Sequence, residues 1–474
     1  MNRIENILLA LALFGIMASC SDSGNTIIDD PEISQTTTAD LMDPSAWSLA
    51  STPGDPLLFR ESSLTNDVAY GKNRALLAWY TIDKLFTQRN SSYAPGYIKN
   101  DLDGLSYPYA REVAINEVYP GQDLNYGQSP VIQTLNLSFY PRERGPYNLD
   151  GTNVDSEGYL LYPERRWGGI MRSIDIDKTN FEQAGIKYIQ FWLLDPFMDS
   201  ELCNEDGGYL FFNLGDVSEE VLKDGFKSYE NGLPLNGDDA DAIQTVWGKV
   251  HAQDELLNYS TDAIRHLQDV GLDGLINQEE FIHPAYVNYL NELRTVLSAS
   301  AFAAMQADPF SPFNDPAGDN YAYYLHTYYD SQRVPIIGRY KRYNNCDGNS
   351  LLQGHTTDAQ YQQGRSKPDV EDINYDNTLN EDERFFQYRV AINPDSMQVG
   401  RNYITDKLVS KVHTRNGMTQ VAVWYQFTIP LNQYQKKIGT IHDFSNIRFM
   451  RIFMTGFRGI THLRFATLEL TPGD

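Results

Sequence analysis

The hydrophobic pattern of this chain is that of a β protein with a different kind of segment in its middle. Two apolar, aromatic-rich runs, residues 188–194 and 209–214, have the length and composition of core strands. The first carries Ile189, Phe191 and Trp192 around a single polar Gln190, and the second carries Phe211 and Phe212 ahead of the turn Gly215-Asp216. They predict a buried pair of neighbouring strands, followed by a short acidic helix over 217–223. Residues 131–140 alternate Leu135, Leu137 and Phe139 with Asn136 and Ser138, which predicts a strand with one wet face. Strand patterns recur at 385–392, 421–431, 447–456 and 462–470.

Other stretches read as helix or loop. Residues 72–86 place Leu76, Leu77, Tyr80 and Leu85 near one helical face, and 255–267 and 287–306 also read as helices. Residues 314–364 are polar, rich in tyrosine and irregular in pattern. Several strands separated by turn signals, without regular helix alternation, argue for antiparallel sheets packed face to face. The predicted fold is mainly β: a jelly-roll-like antiparallel β-sandwich with a mostly helical insertion. Residues 41–237 form its first β-rich part, 238–368 the helical and irregular insertion, and 369–474 the β-rich part that completes the sandwich.

The N-terminus changes the picture of compartment. Arg3, an apolar run over 7–17 and the word Met17-Ala18-Ser19-Cys20 read as a signal peptide. The run is far short of the roughly 20 residues that span a bilayer. Small residues directly before a cysteine resemble a bacterial lipobox, so residues 1–20 are expected to be a lipoprotein signal peptide. Cys20 becomes the lipidated anchor to the outer membrane, and residues 21–40 a polar tether. The formal charge of −25 over 474 residues excludes a nucleic-acid partner as the default reading. Cys203 and Cys346, the two cysteines beyond Cys20, are too far apart in sequence to predict a disulfide.

Candidate chemistry is concentrated in two calcium-type loops. Residues 372–383 match the twelve-residue EF-hand pattern at nearly every position. Asp372, Asn374 and Asp376 supply side-chain oxygens, Thr378 its carbonyl, Asn380 a water-mediated contact and Glu383 a bidentate closure. Asn377 replaces the usual turn glycine, a position asparagine tolerates better than most residues. Residues 269–280 repeat the pattern with Asp269, Asp273, Leu275, Asn277 and Glu280, with Gly274 at the turn and Ile276 as apolar anchor. Gly271 removes one ligand from this second loop. Hard oxygen donors point to Ca²⁺ in a structural role, pinning the insertion to the sandwich. The loop 372–383 runs into a strand pattern, so neither loop is required to sit in a helix-loop-helix pair. Catalytic signatures are thin: the chain lacks G-x-S-x-G, H-E-x-x-H and a phosphate-binding glycine loop. Asp195, at the end of YIQFWLLD, is the strand-end carboxylate to test for acid chemistry, with the capping of a turn as its simpler role.

With these runs in view, the chain resembles one family: SprA, also called Sov, the outer-membrane translocon of the type IX secretion system of Bacteroidota. The matching words include IDDPEISQTTTADL, YGKNRALLAWYTID, YPRERGPYNLDG, ERRWGGIMR, YIQFWLLDPF, GGYLFFNLGDVSEEVLKDG, QDVGLDGL, DVEDINYDNTLNE, YQFTIPL and LRFATLEL. They run in family order from about residue 27 to 470. Members of the family are several times longer and supply a large membrane barrel, whereas this chain resembles an internal segment without the amphipathic strands a barrel needs. The resemblance implies a non-catalytic, lipid-anchored β-rich module of the cell envelope, with type IX secretion components as candidate partners and no catalytic residues to carry over. Two other readings stay open: a glycan-binding surface lipoprotein with a jelly-roll domain, using Trp79, Trp167, Trp192, Trp247 and Trp424 as a sugar platform, and a jelly-roll glycosidase working through two carboxylates.

Overall fold

The computed structural model describes residues 38–230, 240–251, 265–350, 365 and 367–473. The signal-peptide and tether readings, Cys20 included, lie outside those residues up to residue 37, as does most of the helix expected over 255–267.

Thirteen strands build two antiparallel sheets. In chain order they are β1 (Ala39–Asp40), β2 (Ser48–Leu49), β3 (Ala75–Tyr80), β4 (Leu135–Arg144), β5 (Trp167–Ser173), β6 (Ile186–Leu194) and β7 (Gly208–Asp216). After the insertion come β8 (Arg384–Ile392), β9 (Ile404–His413), β10 (Thr419–Pro430), β11 (Lys436–Ile438), β12 (Phe449–Thr455) and β13 (Thr461–Pro472). Sheet one has the order β9-β10-β6-β13-β4-β3, with β1 on β13, and sheet two the order β11-β8-β7-β12-β5-β2. From β4 onwards the chain alternates between sheets, apart from the steps β7 to β8 and β11 to β12 within sheet two and the β9–β10 hairpin. The resulting inner orders, β4-β13-β6-β10 and β5-β12-β7-β8, are those of a jelly roll. The sandwich expected from the strand pattern is the observed fold.

Phe191 marks its centre. It stacks on Phe427 of the neighbouring strand at 4.6 Å and meets Phe212 of the opposite sheet at 5.7 Å between ring centroids. The runs at 188–194 and 209–214 are therefore strands, but they face each other across the core and do not pair side by side. Residue for residue, Gly208–Asp216 pairs with Ile392–Arg384, so β7 and β8 are neighbours. Residues 217–383 leave and return at one end of that ladder.

The outer faces of both sheets are covered as well. On sheet one, Trp192, Leu194, Ala422 and Trp424 lie under Phe86, Ile98, Tyr109, Tyr324 and Tyr340. On sheet two, Phe211, Phe385, Phe449 and Phe453 lie under Val221, Trp247, Leu272 and Tyr286. This double burial explains three departures from the sequence reading. Residues 72–86 are not a helix: Ala75–Tyr80 is a strand with Leu77 and Trp79 in the central core and Ala78 and Tyr80 in the outer cluster, followed only by a single turn, Lys84–Thr87. A strand buried on both sides loses the alternation that would distinguish it. The supposed wet face of β4 is dry, with Asn136 and Ser138 both buried. There Tyr80 Oη, Ser138 Oγ and His462 Nδ1 form a chain of 2.8 and 2.7 Å hydrogen bonds.

The third departure is the expected acidic helix over 217–223, which is irregular backbone with Glu219 and Glu220 buried. Glu219 accepts hydrogen bonds from Ile373 N and Asn380 N, at 2.7 and 2.9 Å. In return, Glu371 accepts from Val221 N, Leu222 N and Ser228 N, at 2.7–3.1 Å. These acids serve as acceptors for backbone that has no ladder. Burial raises Glu219 to about 7 and drives Glu371 well above the carboxylate range. The long helix expected over 287–306 is two helices, Pro284–Val296 and Ala299–Ala307, because Ser298 caps the second by accepting from Ala301 N.

Arg451 lies fully buried in β12 and holds Glu383 through two bonds of 2.9 and 2.8 Å, while also reaching Asn213 and Ser51. Removing one partner of such a pair strands a buried charge, so Arg451→Ala should lower unfolding stability by about 3–5 kcal/mol. Urea melts of the two proteins measure this, and a loss below about 1 kcal/mol would contradict the pairing.

His462 is buried, and burial pushes its imidazole down to about 4. Its folded pKa lies below its unfolded value of about 6.5. The unfolded chain therefore takes up a proton that the native site refuses, and stability falls as pH drops from about 6.5 towards 4. Replacing it by His462→Gln should flatten that part of the stability–pH curve. Parallel curves for the two proteins across the window would refute the buried neutral imidazole.

Candidate metal centre

Residues 265–280 fold as helix, loop, helix. Arg265–Gln268 enters the loop and Asn277–Glu280 leaves it. Gly274 turns with φ +74°, and a Cβ there would stand 2.1 Å from the carbonyl oxygen of Lys249. The glycine at the sharp turn is thus required by both conformation and space.

Three carboxylates converge beside this loop. One oxygen each from Asp273, Glu280 and Asp319 lies within 4.8 Å of the others, and all three side chains are buried. Each is held from behind. Asp273 accepts from Leu275 N at 3.0 Å and from the Tyr286 hydroxyl at 2.5 Å. Glu280 Oε2 accepts from Ala317 N at 2.9 Å. Asp319 Oδ2 accepts from the Tyr147 hydroxyl at 2.7 Å, and that hydroxyl accepts from Leu272 N at 2.8 Å.

The opposite oxygens, Glu280 Oε1 and Asp319 Oδ1, are buried without a hydrogen-bond partner. Among the described residues no lysine or arginine pairs with any of the three, the nearby Lys249 being spent on Glu279 at 2.7 Å. Burial, followed by the negative charge of Asp319, Asp273 and Asp315, drives Glu280 well above the carboxylate range. Asp319 is driven up by burial and by Asp273, Asp347 and Asp315. Burial raises Asp273 too, against its hydrogen bonds from Tyr286 and Leu275. Three buried acids without a counter-charge are electrostatically incomplete. Hard oxygen donors at this spacing match a Ca²⁺-type ion, since oxygens on opposite sides of such an ion are about 4.8 Å apart.

Asp319 is the member that the sequence pattern did not reveal. It belongs to the turn Asp315–Asn320, in which the Asp315 carboxylate accepts from Gly318 N, Asp319 N and Asn320 N at 2.9–3.2 Å. A Cβ on Gly271 would stand 1.8 Å from Asp319 Oδ2. The carboxylate occupies the space that a ligand side chain at position 271 would need. The missing ligand at Gly271 is the one local feature of the sequence that points to an outside residue.

The other expected ligands are placed differently. Asp269, raised to about 6 by burial, accepts from Ser350 N at 3.2 Å and lies outside the trio. Leu275 is buried, and the side-chain oxygen of Asn277 is buried and unpartnered. In the loop 372–383, Asp372 accepts from Asp376 N and Asn377 N, at 3.1 and 2.9 Å. Asp376 accepts from Thr378 N, Thr378 Oγ1 and Asn374 Nδ2, at 2.6–3.0 Å. Asn377 takes the left-handed turn with φ 65°. The two remaining positions face arginines: Asn380 Oδ1 accepts from Arg448 at 3.0 Å, and Glu383 is the partner of Arg451. The structure gathers the first four expected ligands of this loop, Asp372, Asn374, Asp376 and Thr378, into a self-bonded turn and turns Asn380 and Glu383 towards Arg448 and Arg451.

Asp195 accepts from Phe197 N at 3.0 Å, capping its turn. All six tryptophans are buried. Cys203 is exposed and Cys346 buried, both free. No helix among the described residues is long and apolar enough to cross a membrane.

Residues 288–474 match the model of the SprA_N family, described as a motility related/secretion protein. The chain carries a SprA-like segment. No curated protein matches the chain. The SprA-like segment contains β8 to β13, the helix Ala299–Ala307, all but the first turn of Pro284–Val296, and Asp319, whereas Asp273 and Glu280 precede it.

Proposed function

We propose that this chain is a non-catalytic, lipid-anchored protein of the cell envelope that serves secretion or motility through protein contacts, with a calcium-stabilised loop in its insertion. The match of residues 288–474 to a motility related/secretion family carries this reading. It agrees with the family words that run through the chain in order, and with the lipobox before Cys20. Type IX secretion components are the candidate partners. The glycan-binding alternative loses its main support, because every tryptophan that might have formed a sugar platform is packed inside.

Native membranes provide the test. Affinity capture of the tagged chain from detergent-solubilised membranes should recover type IX barrel or plug components. The chain should fractionate with the outer membrane, and Cys20→Ser should release it. Capture of no envelope protein in the wild type, together with unchanged membrane association of Cys20→Ser, would refute the proposal.

A further inference from the structure

The calcium reading, on which the following rests, can be made specific. The structure assigns a Ca²⁺ site to Asp273, Glu280 and Asp319, in which Asp319 replaces the ligand that Gly271 cannot supply. The ion would join two stretches that are separate in sequence, the loop 269–280 and the turn 315–320.

Several independent features carry this. The loop has the spacing of a calcium hand and is flanked by single helical turns, Arg265–Gln268 and Asn277–Glu280, with its turn glycine in the left-handed region. The three ligand oxygens lie within 4.8 Å of one another. Glu280 and Asp319, both fully buried, each present an oxygen without a partner. Leaving such oxygens unsatisfied is costly, and a bound cation satisfies them together. Their other oxygens are fixed by Ala317 N and the Tyr147 hydroxyl, so the site is held in place before any ion arrives. The space at Gly271 is complementary to Asp319 and would be lost with any larger residue.

The ligand set favours Ca²⁺ over Mg²⁺. Its donors come from a backbone loop and a distant turn, a geometry suited to the flexible coordination of Ca²⁺ rather than the strict octahedron and retained waters of Mg²⁺.

The test is calorimetric titration of the purified full chain, stripped with chelator, with CaCl₂ and separately with MgCl₂. One Ca²⁺ per chain should bind with a dissociation constant at or below about 1 mM, the range of extracellular modules, and should raise the melting temperature. Glu280→Gln and Asp319→Asn should each weaken binding by about tenfold or more, while Asp376→Asn, in the other loop, should leave it unchanged. Full affinity in Asp319→Asn, loss of affinity in Asp376→Asn, or no binding to the wild type would overturn the assignment.

A second measurement on the wild type covers the case in which a variant does not fold. Added Ca²⁺ should slow amide hydrogen exchange in 271–280 and 315–320. Slowing confined to 372–383, or none at all, would overturn the assignment. Neither measurement reads a partner, so a negative result here leaves the envelope reading intact, and failed capture from membranes leaves the ion site intact.

Discussion

The ladder between β7 and β8 is the constraint on which the rest of this structure depends. Asp216 stands opposite Arg384 at its end, and between these two residues the chain makes its long excursion over 217–383. Charge is concentrated at that point of departure. Asp216 takes both Arg384, at 2.5 Å, and Arg448, at 2.7 Å, while Arg451 takes Glu383 one residue before the ladder resumes. An interrupted hairpin carries a loop-closure cost that grows only slowly with length, so a long insertion is tolerable provided its two ends are held together. The arginines and acids hold them. Just beyond, Glu219 and Glu371 bond each other's backbone segments, so the roots of the insertion are tied by side chains where no ladder exists.

Once the insertion is anchored there, its first part, with Val221, Trp247, Leu272 and Tyr286, lies over sheet two, while its residues 321–343 join residues 84–118 over sheet one. A sandwich of this kind has three apolar layers instead of one: the central core around Phe191 and two outer clusters. That arrangement decides which polar residues go inside. Asn136, Ser138 and His462 are buried, and each is paired: Ser138 links His462 to the Tyr80 hydroxyl, and Asn136 donates to the carbonyl oxygens of Tyr80 and Thr134. Arg74, buried under sheet two, is spent on the carbonyl oxygens of Pro146 and Val221.

How much of this was legible in the residues follows from the same layers. Strands with flanking turn signals, such as those at 385–392, 421–431 and 462–470, were readable because period and composition agreed. Their assembly into two antiparallel sheets was readable too. The strand Ala75–Tyr80 was not, because burial on both faces removes the alternation, and ALLAWY then fits a helix equally well. Residues 404–413 went unread for the opposite reason: an edge strand carrying Asp406, Lys407, Ser410 and Lys411 has too little apolar content to declare itself. At the candidate site the loop 269–280 was visible by its spacing, but Asp319 was not, since a ligand supplied by another turn leaves no trace in the local pattern. The loop 372–383 matched the calcium pattern better, yet the arginines that claim Glu383 and Asn380 lie some 70 residues further on. Pattern records which donors are present, whereas their partners are settled by the fold.

The position of the SprA-like segment within this architecture bears on what it can do. In sheet one, β10 and β13 both pair with β6, and in sheet two β12 lies between β7 and β5. Strands of the matched part, 288–474, therefore alternate with strands that precede it, and few of its ladders are internal. The insertion repeats the relation on a smaller scale, because Asp319 lies in the matched part while Gly271, Asp273 and Glu280 lie before it. A partner that contacts the SprA-like segment thus meets a surface whose shape is set by both halves of the chain. Substitutions before residue 288 that loosen β5, β6 or β7 are felt in that surface even though they lie outside the matched residues, and the same holds for the carboxylates that bring loop 269–280 against turn 315–320.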